Sequence, residues 1–555
     1  MQEISTKTIQ DERDFVCESD TVAPNNACIH KIRLVFHRVL CLSRSMTDVT
    51  KVIGDMGPWQ GLVAGFVMIS NFFLAFNTIS SAFILPSEQR FWCVEDAFFQ
   101  NRSQDDVCRR YEDADSKLCR RVSYDRTVYR KTLTEEYDLV CGRTWVRTVV
   151  QSSVMAGVML GTVAFGYVSD RRGRRCAVYT GALLHAAGCI VALLANNYVQ
   201  YVLARLLLSL GTSSSYSFDV IFIESVAPRY RFVSSVAISF GYTAGAIVVA
   251  VLNLTVQDWR AYHGLMILYS VLLLVFWYLL HESPRWLLCK KRFDDAEEVM
   301  TKICTFNGIP KGKVKVLFPH LLRRYEPAVT HPSSGLLDLF RSSKGTAVYT
   351  LCVWFQAVIL AFIYYTSSLT GTVLGGKPHF DFICLFTVEF LCNLLCALLS
   401  KRVPRKLFMC GMCVLLAAAM AVLAVFQYKV YVVNLVASLV VKGAVSSFIL
   451  IFFLHVHETY PTRFRAIGYG AFQLVYWASA SVEPFVRTAA TSVSPSLLPG
   501  VYGCGVLASA LSIACVLKET ITKQLSDDVE DNEVETGNVG SGAFAVNVHG
   551  TVERY

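Results

Sequence analysis

The sequence has little charge for its length. Charged residues make up only 17% of its 555 residues, whereas hydrophobic residues make up 54%. A soluble chain of this size would carry about 25% charged residues and would divide into several domains. The low charge and the mean hydropathy of +0.43 therefore argue against an ordinary soluble protein.

The sequence also lacks the motifs of ATP-driven and catalytic proteins. It has no glycine-rich nucleotide-binding loop, and its apolar segments contain no metal-binding box and no nucleophile–base set. His455 and His457 are two residues apart, so they point to different faces of a helix and make a poor metal pair. We therefore expect no nucleotide, metal or cofactor, and an enzyme is the least favoured class of function.

Apolar runs long enough to cross about 30 Å of hydrocarbon recur along the chain. We predict an all-α membrane protein with twelve transmembrane helices, near residues 62–85, 148–168, 176–195, 199–223, 233–253, 261–280, 346–366, 380–399, 407–426, 430–454, 467–487 and 500–517. The segments 380–399 and 467–487 fit this pattern least well, because they contain Glu389 and Glu483.

The distribution of basic residues predicts the topology. The net charge is +9, and much of it lies in loops on one side of the predicted spans, where basic residues mark the cytoplasm. We therefore expect both termini in the cytoplasm, a lipid bilayer as the surroundings and no nucleic-acid partner. Residues 1–60 contain no cleavable signal, so the first span can direct insertion.

The segment 86–147 is expected to be a large extracellular loop. It contains four cysteines, an even number that favours two disulfides in one of three possible pairings over free thiols; they are Cys93, Cys108, Cys119 and Cys141. Asn101 begins a glycosylation sequon in the same loop. The loop could also support a homo-oligomer.

An internal repeat divides the chain. Glu224 and Arg231 recur as Glu458 and Arg465, 234 residues later, and Glu282 recurs as Glu519, 237 residues later. Such offsets predict two pseudo-symmetric six-helix halves, as in facilitator-type carriers. The expected regions are a cytoplasmic segment 1–60, a first half 61–281, a cytoplasmic connection 282–345, a second half 346–518 and a disordered cytoplasmic tail 519–555.

Several motifs resemble one transporter family. They are MTDVTKVIGDMGPWQ at 46–60, EYDLVC with Trp145, the turn DRRGRR at 170–175, ESPRWLL at 282–288 and ETYPTRFRAIG at 458–468. Together they resemble the organic cation/anion transporters (solute carrier family 22) of the major facilitator superfamily, particularly organic cation/carnitine transporter-like proteins. The resemblance implies a major facilitator fold, a plasma-membrane location and transport of small organic ions by alternating access.

The resemblance also implies a cytoplasmic gate made of charged residues. The matching positions are Asp170, Arg171, Gly173, Arg174, Arg175, Glu224, Arg231, Glu282, Arg285, Glu458 and Arg465. The alternative is ordinary basic charge on the cytoplasmic side, although that rule does not require the recurring acids. The second copy of the turn, at 401–406, has Lys401 in place of the acid and Pro404 in place of the glycine. It could therefore slow the cycle or abolish it.

Charged and aromatic residues inside the spans are candidates for substrate binding, because an ionisable group in a membrane is costly unless compensated. The candidates are Asp219, Tyr364, Tyr365, Glu389, Lys442 and Trp477. Asp219 could attract a cation or simply bond to a serine or threonine of a neighbouring span. Lys442 could bind a carboxylate or simply neutralise Glu389. Glu483 and Arg487 are four residues apart and could pair with each other.

The sequence leaves the charge of the substrate open. In the resembling family, the position of Trp477 tends to be Asp in cation carriers and Arg in anion and carnitine carriers, so this chain has neither residue. The slight excess of acids in the spans and the tyrosines, whose rings can stack on cations, favour organic cations or zwitterions such as carnitine-like compounds. The alternatives are an organic anion exchanger and a non-transporting receptor or scaffold derived from such a carrier.

Overall fold

The computed structural model describes residues 49–86, 89–94, 104–112, 119, 121–325, 336–369, 377–399, 403–426, 430–460, 465–494, 496–517 and 519. Within these residues the fold is built from helices, which satisfy their backbone hydrogen bonds internally, as lipid requires. In chain order the elements are α1 Val49–Ile53, α2 Pro58–Ile79, α3 Ser81–Ile84, β1 Phe91–Cys93, α4 Gln104–Glu112, β2 Val122–Tyr124, α5 Leu133–Glu136, α6 Trp145–Arg172, α7 Arg174–Leu193, α8 Tyr198–Thr212, α9 Tyr216–Ser225, α10 Phe232–Thr255, α11 Trp259–Val275, α12 Pro284–Cys289, α13 Phe293–Phe306, α14 Gly312–Tyr325, α15 Leu336–Ser342, α16 Lys344–Leu369, α17 Pro378–Leu399, α18 Arg405–Phe426, α19 Tyr431–Thr459, α20 Arg465–Val493 and α21 Leu497–Val516.

The long helices occupy the predicted spans. Ten helical segments among the described residues are long and apolar enough to cross a membrane. α11, with 17 residues, and α20, which contains more polar residues, occupy the other two predicted positions. α11 ends at Val275 and is followed by a 3-10 turn, so the predicted end at residue 280 was too late.

We call the two ends of the bundle by their sequence features. The basic end carries the turn 170–175 between α6 and α7, and the loop end carries the segment 86–147. One buried apolar core lies mainly among α16–α21. Two others lie mainly among α2–α11, one of them extended by the short helices α12–α14. The bundle therefore has a first and a second half, each with its own packing.

The described residues of the segment 86–147 form a small disulfide-bonded unit at the loop end. β1 pairs antiparallel with β2, with Phe91 opposite Tyr124. Disulfides join Cys93 to Cys119 and Cys108 to Cys141, which selects one of the three possible pairings. Asn101 lies outside the described residues.

Glycines allow the backbones of α6 and α8 to pack closely against each other. A Cβ added at Gly157 would lie 2.5 Å from the Leu206 carbonyl oxygen, and one at Gly161 would lie 2.4 Å from that of Leu210. Small residues permit such close packing of helices in a membrane. Gly166 lies further along the same helix, and a Cβ there would meet nothing within 4 Å.

Hydrogen bonds of Asn307 join the connection between the halves to the start of α2, which is the first span. Its Oδ1 accepts a hydrogen bond from the Trp59 backbone at 2.9 Å. Its Nδ2 donates to the Ile53 carbonyl and to Gln60 Oε1, each at 2.9 Å. This single side chain satisfies donors and acceptors at the start of α2 and so holds α13 against that helix end.

Candidate functional site

A buried ion pair lies in the second half. Lys442 Nζ of α19 is 3.0 Å from Glu389 Oε2 of α17, and the two side chains are only 0% and 5% exposed. The Tyr364 hydroxyl donates to Glu389 Oε1 at 3.0 Å, and Lys442 Nζ donates to Ser368 Oγ at 2.5 Å. Three helices thus converge on one pair of opposite charges.

Aromatic rings cover the ammonium group of this pair. Lys442 Nζ is 3.7 Å from the centroid of the Tyr364 ring and 4.5 Å from that of Phe386. Cations are attracted to the faces of such rings, and the attraction grows when water is excluded. The cluster can therefore hold a positive charge against Glu389, whether that charge belongs to lysine or to a ligand.

The aromatic cluster continues from Tyr364 toward α20. Tyr365 lies 5.4 Å from Tyr364 and 6.2 Å from Trp477, measured between ring centroids. Tyr242 of the first half lies 6.1 Å from Tyr364. The predicted residues Tyr364, Tyr365 and Trp477 are therefore neighbours, and they lie where the first half meets the second.

Asp219 accepts its described hydrogen bond from a residue outside this aromatic cluster. Its Oδ1 accepts from Ser234 Oγ of α10 at 2.8 Å, and both residues are buried. This is the bond to a neighbouring serine that was one of the two sequence-based alternatives. Its carboxylate is thus held by the protein itself.

Glu483 and Arg487 pair as their spacing predicted. Arg487 Nε is 3.1 Å from Glu483 Oε1, and Thr366 also donates to this carboxylate at 2.7 Å. Arg487 Nη2 donates to Gln151 of α6 at 2.8 Å. The pair therefore joins the two halves as well as neutralising a buried acid.

Other hydrogen bonds near the loop end also cross between the halves. The hydroxyls of Thr148 and Thr488 are 3.2 Å apart. His379 Nε2 is 2.6 Å from Asn253 Oδ1, and its ring stacks on Phe83. The halves are therefore held together at this end.

At the basic end, the described contacts of the turn 170–175 join residues of the first half and of the connection that follows it. Arg174 is 3.0 Å from Asp170 Oδ1 and 3.1 Å from Glu224 Oε1. The backbone N–H groups of Arg174 and Arg175 donate to the two carboxylate oxygens of Glu282, at 2.9 and 3.1 Å. Glu224 therefore pairs with Arg174, which belongs to the turn itself.

Glycine is required at position 173. Its φ of +110° is a positive backbone angle that residues with a side chain rarely adopt. A Cβ at this position would also lie only 2.3 Å from Glu282 Oε2. Glu282 thus accepts the free N–H groups at the start of α7, where a negative charge is favourable. Burial nevertheless raises the pKa of Glu282 above its ordinary value, although those N–H groups act to lower it.

The same arrangement recurs in the second half. Glu519 accepts hydrogen bonds from the backbone N–H groups of Arg405 and Lys406, at 3.1 and 3.0 Å. These positions are 231 residues after Arg174 and Arg175. The backbone part of the motif is therefore kept although the turn's own side chains differ from those of the first copy.

The other gate candidates are only partly placed. Arg171 lies over the Tyr167 ring at 4.8 Å, and Arg285 lies in the first turn of α12. The side chains of Glu458 and Arg465, and residues 401 and 402, lie outside the part of the chain described.

Sequence reasoning missed several residues that contact the central pair, its aromatic cluster, Arg487 or the turn of the second half. Ser368 follows Tyr364 by four residues, and Phe386 precedes Glu389 by three, so helical spacing could have found both. Glu519 was noted as part of the repeat but not as a gate residue. Tyr242 and Gln151 come from the other half and leave no local signal.

Comparison with known proteins places the chain in a family. A family model described as sugar (and other) transporter matches residues 63–528. The chain is 24% identical to the organic cation transporter protein of Drosophila melanogaster, over 88% of this chain and 94% of that protein. It is 26% identical to solute carrier family 22 member 16 of Homo sapiens, over 74% and 71%, and 26% identical to organic anion transporter 3 of Mus musculus, over 72% and 75%.

Solved structures agree on the fold. The chain has a TM-score of 0.60 with the major facilitator proton:xylose symporter XylE bound to 6-bromo-6-deoxy-D-glucose, at 16% identity over 85% of this chain and 99% of that one. The TM-score with inward open XylE from E. coli is 0.58, at 16% identity over 86% and 99%. The predicted major facilitator fold is thereby confirmed. The chain is a multi-pass membrane protein that belongs to the sugar (and other) transporter family of the major facilitator superfamily and resembles that superfamily's organic cation and anion transporters.

Proposed function

We propose that this protein carries small organic ions across the membrane by alternating access, and that it favours zwitterions, such as carnitine-like compounds, or organic cations. The relatives named as organic cation and anion transporters support the general class of substrate. The observation that carries the narrower proposal is the Lys442–Glu389 pair beneath aromatic rings, where one site offers both signs of charge.

The substrate has to compete with the protein's own ion pair. Breaking a buried pair by removing one partner costs about 3–5 kcal/mol, so a ligand that opens it has to replace the lost contacts. A zwitterion can do so at both ends, since its cationic group can take Glu389 and its carboxylate can take Lys442. A simple cation replaces lysine at Glu389 only, and an anion replaces Glu389 at Lys442 only.

Uptake into cells that express the chain tests this proposal. The probes are a labelled quaternary ammonium ion, a labelled trimethylammonium carboxylate and a labelled aryl carboxylate. Glu389→Gln should reduce uptake of the first two at least tenfold. Lys442→Ala should reduce uptake of the zwitterion but keep or increase uptake of the simple cation, because Glu389 is then free to bind it.

Exposed residues supply matched controls for the change in charge. Lys302 and Glu298 form an exposed pair 2.6 Å apart, so Lys302→Ala and Glu298→Gln should leave all three probes unaffected. Surface labelling confirms that each variant reaches the membrane. Aryl carboxylate uptake that is lost in Lys442→Ala, without uptake of the other probes, would make the protein an organic anion exchanger instead.

The organic-ion carrier would work from the plasma membrane with its basic end in the cytoplasm, and it would not be an enzyme. The excess of arginine at that end supports the orientation. A glycan on Asn101 would place the segment 86–147 outside the cell. Treatment with a glycosidase should then lower the apparent mass of the protein, and Asn101→Gln should abolish that shift.

The cycle would open and close the two ends in turn. The cross-half contacts of Gln151, Asn253 and Thr148 support a conformation whose loop end is closed. The paired turns held by Glu282 and Glu519 would stabilise the basic end when it closes.

A non-transporting receptor is the second candidate, because of the altered turn at 401–406. The bond from Glu519 to the start of α18 counts against it, since the backbone part of that turn is kept. Counterflow separates the two: a carrier exchanges labelled for unlabelled substrate across the membrane, whereas a receptor binds the probe without exchange.

A further inference from the structure

Buried polar side chains line one face of α19. Asn434, Ser438 and Lys442 follow one another every four residues, with exposures of 0%, 2% and 0%. Tyr431 begins the same helix at the loop end. At about 100° per residue these four side chains fall within roughly 80° of each other around the helix, and they span about 16 Å along it.

Contacts at both ends of this face show which helix it meets. The Tyr431 hydroxyl donates to Asp381 Oδ1 at 2.6 Å, and Lys442 lies 3.0 Å from Glu389. Both acids belong to α17. The two ends of the face therefore contact α17, and Asn434 and Ser438 lie between these two contacts along α19.

The middle of this face has polar atoms that no protein group satisfies. Within the described part of the chain, neither Oδ1 nor Nδ2 of Asn434, nor Oγ of Ser438, has a hydrogen-bond partner. The same holds for Asn393 Oδ1 on α17, one turn past Glu389. A buried polar group left unsatisfied costs about 1–3 kcal/mol, and proteins commonly satisfy such groups with internal water.

We propose that a file of water molecules lies between α17 and α19 and joins the loop-end solution, at the partly exposed Tyr431 beside buried Asp381, to the Lys442–Glu389 pair. The amide of Asn434 and the hydroxyl of Ser438 offer the several polar contacts that an internal water needs. We call this set of residues the polar column.

The polar column lies within the second half, between α17 and α19, and contains none of the residues that make the loop-end hydrogen bonds between the halves named above. Water can therefore reach the ion pair while Gln151–Arg487 and Asn253–His379 close the interface. The pair would be hydrated from the loop end even when that end is closed to organic substrates. This inference does not depend on the proposed substrate.

Hydroxyl-radical footprinting tests the column on the purified full-length chain. X-ray radiolysis in ¹⁸O-labelled water produces radicals beside internal water, and mass spectrometry locates the oxidised side chains. Leu385 lies on α17 between Asp381 and Glu389 and is 0% exposed, whereas Leu416 of α18 is 1% exposed and serves as the matched control. We expect several-fold more labelled oxygen on Leu385 than on Leu416. Equal, low labelling of the two leucines would overturn the proposal.

A variant identifies the source of the water. Asn434→Leu combined with Ser438→Ala removes the polar atoms of the column, so labelling of Leu385 should fall to the level of Leu416. Unchanged labelling would mean that the water comes from another cavity, which also overturns the proposal. Ser438→Ala alone provides the same comparison if the double variant does not fold. A failure of the transport assays would leave these results unaffected, because footprinting needs no substrate.

Discussion

At the residue scale, compensation of buried charge dominates this protein. Lys442 pairs with Glu389, Glu483 pairs with Arg487, and Asp219 accepts a hydrogen bond from Ser234. An isolated charge in a low-dielectric interior is costly, so each charge has a partner. The consequence for function is that a charged substrate has to displace a partner that is already present.

Glu282 should give the stability of the protein a specific pH dependence. Burial raises its pKa above the ordinary value of 4.5, so the folded protein binds this proton more tightly than the unfolded chain does. The resulting stabilisation is fully present below pH 4.5 and is lost as the pH rises through the raised pKa. Glu282→Gln removes the carboxyl group and with it this loss of stability at higher pH. The difference in melting temperature between the variant and the parent should therefore change between pH 4.5 and the raised pKa.

Thermal unfolding of the detergent-purified protein between pH 4 and pH 8 measures this effect. Glu298→Gln, at an exposed position, serves as the control for removal of a carboxylate. Parallel curves for Glu282→Gln and the parent protein over the whole range would contradict the prediction.

At the element scale, close helix contacts depend on individual glycines. Gly241 and Gly245 of α10 bring their backbone against the carbonyls of Met68 and Phe72, just as Gly157 and Gly161 bring α6 against α8. Association in lipid relies on such packing, because the lipid tails are as apolar as the side chains. A pattern of small residues in the sequence indicates that close contacts exist, but only the structure shows which glycines make them.

The glycines of α6 provide a matched pair for a packing test. Gly161→Leu places a side chain against the Leu210 backbone and Ser213, and overpacking of this kind costs about 1–3 kcal/mol. Gly166→Leu points into open space and should change stability by less than about 0.5 kcal/mol. We expect a clear loss of melting temperature and of surface expression for the first variant only. Equal losses for both would show that glycine matters here for another reason.

At the scale of the whole molecule, the described contacts between the halves differ between the two ends of the bundle. Hydrogen bonds join them near the loop end, whereas the described ion pairs at the basic end lie within one half. If the two halves rock against each other, as in related carriers, the loop-end contacts have to break once per cycle.

A disulfide across the loop end should arrest that cycle. The hydroxyls of Thr148 and Thr488 are 3.2 Å apart, so Thr148→Cys with Thr488→Cys should cross-link under mild oxidation. Protease cleavage in the connection between the halves, followed by a non-reducing gel, measures the cross-link. Transport should fall by more than tenfold and return on reduction, whereas each single variant should stay active. Full transport by the cross-linked protein would contradict a rocking motion at this end.

The sequence determined the elements of this protein. Hydropathy and charge are local properties, so they located the twelve predicted spans, with the largest differences, of five or six residues, at the ends of α11, α19 and α20. The repeated acids and the motifs around them identified the family. The spacing of four residues paired Glu483 with Arg487, because both side chains lie on one helix face.

Only the tertiary structure decided which distant groups meet. Hydropathy measures how one segment partitions into lipid and carries no information on how helices rotate against each other. The contact of Lys442 with Glu389, the bond from Arg487 to Gln151 and the choice of Arg174 for Glu224 all depend on that rotation. The proposed substrate site and the contacts between the halves are therefore properties of helix packing, whereas the spans that form them are properties of the sequence.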